Sequence, residues 1–241
     1  ARNMAEDSAH YRNISSRPEE FWLERGTRLK GCALALYYYL IIRSSWDGKE
    51  RHYYLKQNDV KKVVAARELG YSRQAITTAF QTLEKFGFIS SWTNFRKEAY
   101  YKIPYPLSAQ GVRKDVLDYL LTHFSEEPEV ITFMGLIGAE HRNGAPPKSL
   151  TGLAILMGLD GNQQRNLNKI AKYIGVLKFY NFLDYKIEVL EKGGIKYNVI
   201  CFTKVAVNGV PSSVPLDDKR TLEQVYEQEL NEDGAAFFTK M

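Results

Sequence analysis

The sequence predicts an α+β fold, mostly helical, built as two domains in tandem with a charged tail. Three observations predict it. Apolar residues recur at helical spacing through most of the chain. Two of the helical segments, around residues 72–87 and 163–177, are each followed by two β-prone runs joined by a polar or glycine-rich turn. The apolar positions of those segments also repeat: Ile76, Ala79, Phe80, Leu83 and Phe86 in the first, Leu167, Ile170, Ala171, Ile174 and Leu177 in the second. The expected boundaries are 1–105 for an N-terminal arm and first domain, 106–210 for the second domain, and 211–241 for the tail.

In order, residues 1–18 are polar and Arg-rich and are expected to be loose. A helical pattern begins at Glu19, and Leu29, Ala33, Leu34, Tyr37, Leu40 and Ile41 form its buried stripe. Trp46-Asp47-Gly48 reads as a turn and Tyr53-Tyr54-Leu55 as a short strand. Asn58 or Asp59 is placed to cap a helix that runs to Leu69, where Gly70 stops it. Ser72 caps the next helix and Gly87 ends it. Residues 88–92 and 99–103 are strands around the loop 93–98.

This order resembles a winged helix-turn-helix. The run from Glu68 through Leu69-Gly70-Tyr71-Ser72-Arg73 to Ile76, followed by Leu83-Glu84-Lys85-Phe86-Gly87-Phe88-Ile89, is similar to the core of winged-helix DNA-binding proteins over about residues 29–103. The resemblance implies that Ser72, Arg73, Gln74, Thr77, Thr78 and Gln81 are the outward face of a recognition helix. Their chemistry suits the role, since such side chains bond to phosphates and to base edges. Arg73 sits in the first helical turn, where the helix dipole disfavours a cation, so its placement gains sense if a phosphate or guanine lies outside. Arg96 and Lys97, at the tip of the expected wing, are assigned to DNA backbone or minor groove.

Ile103-Pro104-Tyr105-Pro106 breaks the last strand and places the boundary. Helices are expected over 109–124 and 129–141, then a loop at 143–147. A helix over 149–159, a turn at Asp160-Gly161-Asn162 and a helix from 163 repeat the first pattern, with Gln163, Gln164, Arg165, Asn168, Lys169 and Lys172 facing outward. A hairpin of 182–190 and 195–202 turns at Glu191-Lys192-Gly193-Gly194, which puts Lys192 at a second wing tip. In the tail, residues 221–230 align Leu222, Val225, Tyr226 and Leu230 along one side of a short helix.

Charge is uneven. Residues 1–105 carry 18 Lys/Arg against 11 Asp/Glu, residues 106–210 carry 12 against 10, and residues 211–241 carry 3 against 7. A basic front and an acidic end suit a polyanion-binding body with a protein-binding tail. The apolar run 31–42 is too short for a membrane span, which needs about 20 residues, so no membrane role is expected. Cys32 and Cys201 read as free buried thiols, and with no export signal ahead of them a cytoplasmic setting is expected. Asn13-Ile14-Ser15 then matches the glycosylation pattern by chance. His10, His52, His123 and His141 are widely spaced and neither cysteine lies near one, so the sequence has no zinc spacing; it has no P-loop either. No cofactor and no catalysis are expected.

Two winged helices in one chain of this length resemble the tandem winged-helix replication initiators of plasmids and phages, over about residues 29–205. That resemblance implies double-stranded DNA with repeated origin sites as ligand, homo-oligomer formation and contact with host replication proteins. A transcriptional or partition regulator is the rival within DNA binding. A winged-helix protein-assembly module without DNA binding is the rival from another class.

Overall fold

The computed structural model describes residues 10–212. Among these are seven α-helices and three antiparallel sheets, an α+β fold. By mutual contact, the described residues up to Ser15 together with Glu20–Thr132 form one unit, and Ser16–Glu19 with those from Phe133 onward form the other. No helix among them is long and apolar enough to cross a membrane. The acidic tail helix expected over 221–230 lies outside the described residues.

The first unit is centred on α1 (Gly31–Arg43). Leu34 to Ile42 are all buried, nine in succession, so the helix is enclosed on every side rather than along the expected stripe. The three consecutive tyrosines pack inward; Tyr38 is fully buried and its hydroxyl meets Thr132 Oγ1 at 2.8 Å. The helix starts later than its pattern suggests. Residues ahead of it form 3-10 turns at Pro18–Phe21 and Glu24–Gly26, and Phe21 stacks on Phe88 while meeting Tyr37 edge-on.

Within the arm expected to be loose, residues 1–9 lie outside the described residues, and residues 11–15 form strand β1 (Tyr11–Ser15). Its anchor is Arg12, whose Nε donates to the Ile41 carbonyl at 3.0 Å and whose Nη2 donates to that of Ser44 at 2.7 Å. A cation is thereby set on the carbonyl end of α1, where the helix dipole favours it. Burial lowers the pKa of that guanidinium, and nearby Tyr53 opposes the shift. Asn13 N donates to the Tyr53 hydroxyl at 2.8 Å.

Strands β2 (Ser45–Asp47), where a turn was expected, and β3 (His52–Lys56) lead to α2 (Lys62–Leu69). Asn58 and Asp59 belong to a 3-10 turn ahead of α2, which has no side-chain cap. Gly70, at φ +72°, ends α2, and Ser72 caps α3 (Arg73–Lys85). Strands β4 (Ser90–Thr93) and β5 (Ala99–Pro104) complete a sheet of order β2-β3-β5-β4.

Residues 109–124, expected to be one helix, divide into β6 (Ala109–Arg113) and α4 (Lys114–His123). Strand β6 pairs with β1, with Gln110 and Val112 alternately buried. That pairing, and the contact of Tyr38 with Thr132, carry the first unit past the boundary expected at 105. The unit boundary instead falls inside α5 (Glu129–Arg142).

In the second unit Ser149 caps α6 (Leu150–Leu156), which is shorter than expected, and α7 (Gln164–Phe179) follows. Gly161 lies in the turn between them, where a Cβ would sit 2.7 Å from Thr151 Cγ2, so the chain passes too closely for a side chain. Strands β7 (Leu183–Lys192) and β8 (Ile195–Val205) form the long hairpin through Gly193-Gly194, and Lys148 makes a bridge to Ile200 on β8. The core gathers Phe133, Met134, Ile137, Leu153, Ile170, Ile174, Leu177, Phe182 and Val199.

Candidate nucleic-acid interface

Helix α3 divides into two faces as its sequence requires. Ile76, Ala79, Phe80 and Leu83 are buried, whereas Phe86 is half-buried. Phe80 stacks on Tyr101 of β5 at 5.3 Å, and Glu84 Oε1 accepts from Ser91 Oγ of β4 at 3.1 Å, so helix and hairpin are joined by both apolar and polar contacts. On the other side Ser72, Arg73, Gln74, Thr78 and Gln81 are exposed and Thr77 is half-exposed.

The helix start is well defined. Ser72 Oγ accepts from Ala75 N at 3.0 Å, and there is no acidic residue in the first turn. Among the described residues, the Arg73 guanidinium and the amides of Gln74 and Gln81 have no hydrogen-bonding or ionic partner. Thr77 differs, since its hydroxyl donates back to the Arg73 carbonyl at 3.0 Å. The outward face therefore presents Arg73, Gln74 and Gln81 without internal partners among the described residues, while the Ser72 and Thr77 hydroxyls are engaged with the backbone.

The loop between β4 and β5 is a preformed turn. Asn94 Oδ1 accepts from the backbone N–H of Arg96 and of Glu98, both at 2.9 Å, and Lys97 adopts φ +60°. Glu98 accepts from Lys56, Asn94 and Tyr100, and these bonds hold its carboxyl below the usual glutamate range, the Lys56 bond most of all. Arg96 and Lys97 are exposed at the tip, with Arg96 over the ring of Phe95, itself 90% exposed.

Helix α7 presents its polar residues in another state. Gln164 donates to Asn168 at 2.8 Å, Arg165 Nε donates to Gln163 at 2.7 Å, and Gln163 donates to Asp160. Asp160 is held ionised by Asn162 N–H and then by Gln163, which puts a carboxylate at the start of the helix. Lys169 and Lys172 are half-exposed, and Lys192 is exposed at the hairpin tip. The two polar faces match in position but not in availability, a distinction that depends on side-chain geometry and has no signature in residue type.

Cys32 and Cys201 are free but only partly buried, where full burial was expected, and desolvation pushes the Cys32 thiol up to about 11. Asp47, Glu50 and His52 bring ligand atoms within 4.8 Å of one another, a grouping the spacing of the histidines did not suggest. Other contacts account for it: Asp47 accepts from Lys49 N and Glu50 N, Glu50 pairs with Lys102 at 2.9 Å, and His52 Nδ1 lies 3.5 Å from Glu50 Oε2. Comparison with protein-family models, curated proteins and solved structures gives no match.

Proposed function

We propose that this protein is a sequence-specific double-stranded DNA-binding protein that reads the major groove through α3 of its first unit. The observation that carries the reading is the capped start of α3, with exposed Arg73, Gln74, Thr78 and Gln81 beside the turn that presents Arg96 and Lys97. Arginine to guanine and glutamine to adenine are paired-bond contacts that distinguish bases, while the loop cations meet phosphate or minor groove.

The order of elements supports a winged helix-turn-helix in each unit. In the first, α1, β3, α2, α3 and the β4–β5 hairpin follow in turn, and β3 pairs with β5. In the second, α5, Lys148, α6, α7 and the β7–β8 hairpin follow, and the bridge of Lys148 to Ile200 takes the place of the β3–β5 pairing. Three residues separate α2 from α3 and seven separate α6 from α7. With its side chains engaged with one another, α7 contributes chiefly phosphate contacts through Arg165, Lys169 and Lys172.

A tandem of this kind fits a plasmid or phage replication initiator that binds repeated origin sites, self-associates there and recruits host replication proteins. Selection of bound duplexes from a random pool, followed by anisotropy titrations over a range of salt, tests the reading. A defined consensus and a steep loss of affinity with salt are expected. Binding without either would move the protein to the class of assembly modules. Direct repeats beside an AT-rich segment near the coding sequence favour an initiator, and inverted repeats upstream of its own operon favour a regulator.

A further inference from the structure

The four-stranded sheet of the first unit has a second face, which the reading above does not use. Registry assigns its residues. Trp92 pairs with Tyr100 and Tyr100 with Lys56, while Lys102 pairs with Tyr54 and, through the two-residue period, all five share one side with His52. Tyr101, which stacks on Phe80 of α3, is on the opposite side. The ladder of rings therefore faces away from α3.

Its geometry is a row of aromatics. Ring centroids are 5.4 Å apart from Trp92 to Tyr100, 6.2 Å from Tyr100 to Tyr54 and 6.2 Å from Tyr54 to His52. Lys102 Nζ lies 4.9 Å from the centroid of Trp92, and Lys56 Nζ lies 5.9 Å from that of Tyr100. Trp92 is 44% exposed on the edge strand. No leucine, isoleucine or valine of the four strands is on this side; Leu55 and Ile103 point to the core. Protein interfaces are also rich in aromatic rings but are depleted in lysine, whereas rings interleaved with lysines provide the π-faces and cations that a single strand uses.

The three carboxylates nearby, Asp47, Glu50 and Glu98, are each engaged by neighbours. Glu98 accepts from Lys56, Asn94 and Tyr100, Glu50 pairs with Lys102, and Asp47 accepts from the backbone N–H of Lys49 and of Glu50. Each lysine uses one ammonium donor in this way and keeps others for a phosphate. With Arg96 and Lys97 at the adjoining loop, the region carries the cations of Lys56, Lys102, Arg96 and Lys97 against the carboxylates of Asp47, Glu50 and Glu98.

We infer that the outward face of the β2-β3-β5-β4 sheet binds single-stranded nucleic acid, with unpaired bases stacked on Trp92, Tyr100 and Tyr54 and the backbone held by Lys56 and Lys102. Stacking needs no particular base, so the face is tolerant of sequence where α3 is selective. A protein that binds a duplex through α3 and an opened strand through this sheet can hold a locally melted site by its intact duplex and by one of its separated strands.

The test uses the full chain and labelled single-stranded oligo-dT and oligo-rU of about 16 nucleotides, the upper site size for one small module. The unaltered protein is expected to bind at least one of them, and preference between the two identifies DNA or RNA as the source. Trp92→Ala should weaken that binding about 5- to 150-fold, the range for loss of one stacked base, while Trp92→Phe retains most of it. Lys102→Gln, a second variant with little effect on folding, should weaken it as well. Arg73→Ala should lower duplex affinity and leave single-strand affinity unchanged. The inference is overturned if neither strand binds, if Trp92→Ala or Lys102→Gln leaves single-strand binding intact, or if Trp92→Ala lowers duplex and single-strand affinity by the same factor.

Discussion

Arg73→Ala separates recognition from stability with unusual clarity. The side chain is exposed, stands in the first turn of α3, and has no hydrogen-bonding or ionic partner among the described residues. Its removal therefore breaks no internal contact, and the change relieves a cation at the positive end of the helix dipole, worth about 0.3–1 kcal/mol at an exposed site. Alanine is also the best helix former. Folding stability should stay within about 0.5 kcal/mol of the original or rise slightly. A two-bond contact with guanine contributes about 1–3 kcal/mol of discrimination, which is a loss of about 5- to 150-fold on the specific site. Anisotropy on the selected duplex and on a random one, with urea denaturation of the same preparations, reads both quantities. Equal losses on both duplexes would reduce Arg73 to a phosphate contact. Unchanged binding, or a stability loss comparable with the binding loss, would refute the role assigned to this helix face.

Lys97→Ala should weaken specific and random duplexes alike and reduce the salt dependence of log affinity by about one unit, as for one lost phosphate contact; a change confined to one sequence would move Lys97 to base contact. Arg12→Met should cost about 2–4 kcal/mol in urea denaturation, because it removes two charge-assisted bonds to the carbonyl end of α1. Hydrogen exchange should then quicken first in β1 and β6, and a loss below about 0.5 kcal/mol would show that Arg12 does not anchor the arm. For Glu98 the folded pKa lies below the ordinary glutamate value, so its contribution is present above that value and fades as pH falls through the lower folded pKa. Carboxyl NMR titration should show that midpoint below the usual glutamate range of about 4.3, and Lys56→Met should raise it toward that range; an unmoved midpoint would leave Lys56 without the effect assigned to it. Ser72→Ala should destabilise by about 1 kcal/mol through loss of the Ala75 N–H bond, as judged by the shift in urea midpoint.

Local chemistry determined what the sequence could show. Apolar residues at helical spacing, Ser72 before α3, Gly70 with its positive φ and the Gly193-Gly194 turn each constrain a few neighbouring residues, so α3, α7, β5 and the second hairpin were legible from order alone. The exposed residues of α3 were legible for the same reason, because one periodic face implies the other. Contacts between distant segments were not legible. Residues 11–15 lack a long β-prone pattern and become a strand because β6 lies beside them and Arg12 reaches the end of α1; residues 109–113 fit a helical window but are claimed by that pairing. Residue type likewise could not distinguish α3, where Arg73, Gln74 and Gln81 are open, from α7, where Gln163, Gln164, Arg165 and Asn168 bond among themselves and to Asp160. Nor could it place Trp92, Tyr100 and Tyr54 in one row, since strand register aligns residues nearly fifty positions apart. Periodicity is a property of neighbours along the chain, whereas pairing and side-chain engagement depend on which segments meet, and only the tertiary structure decides that.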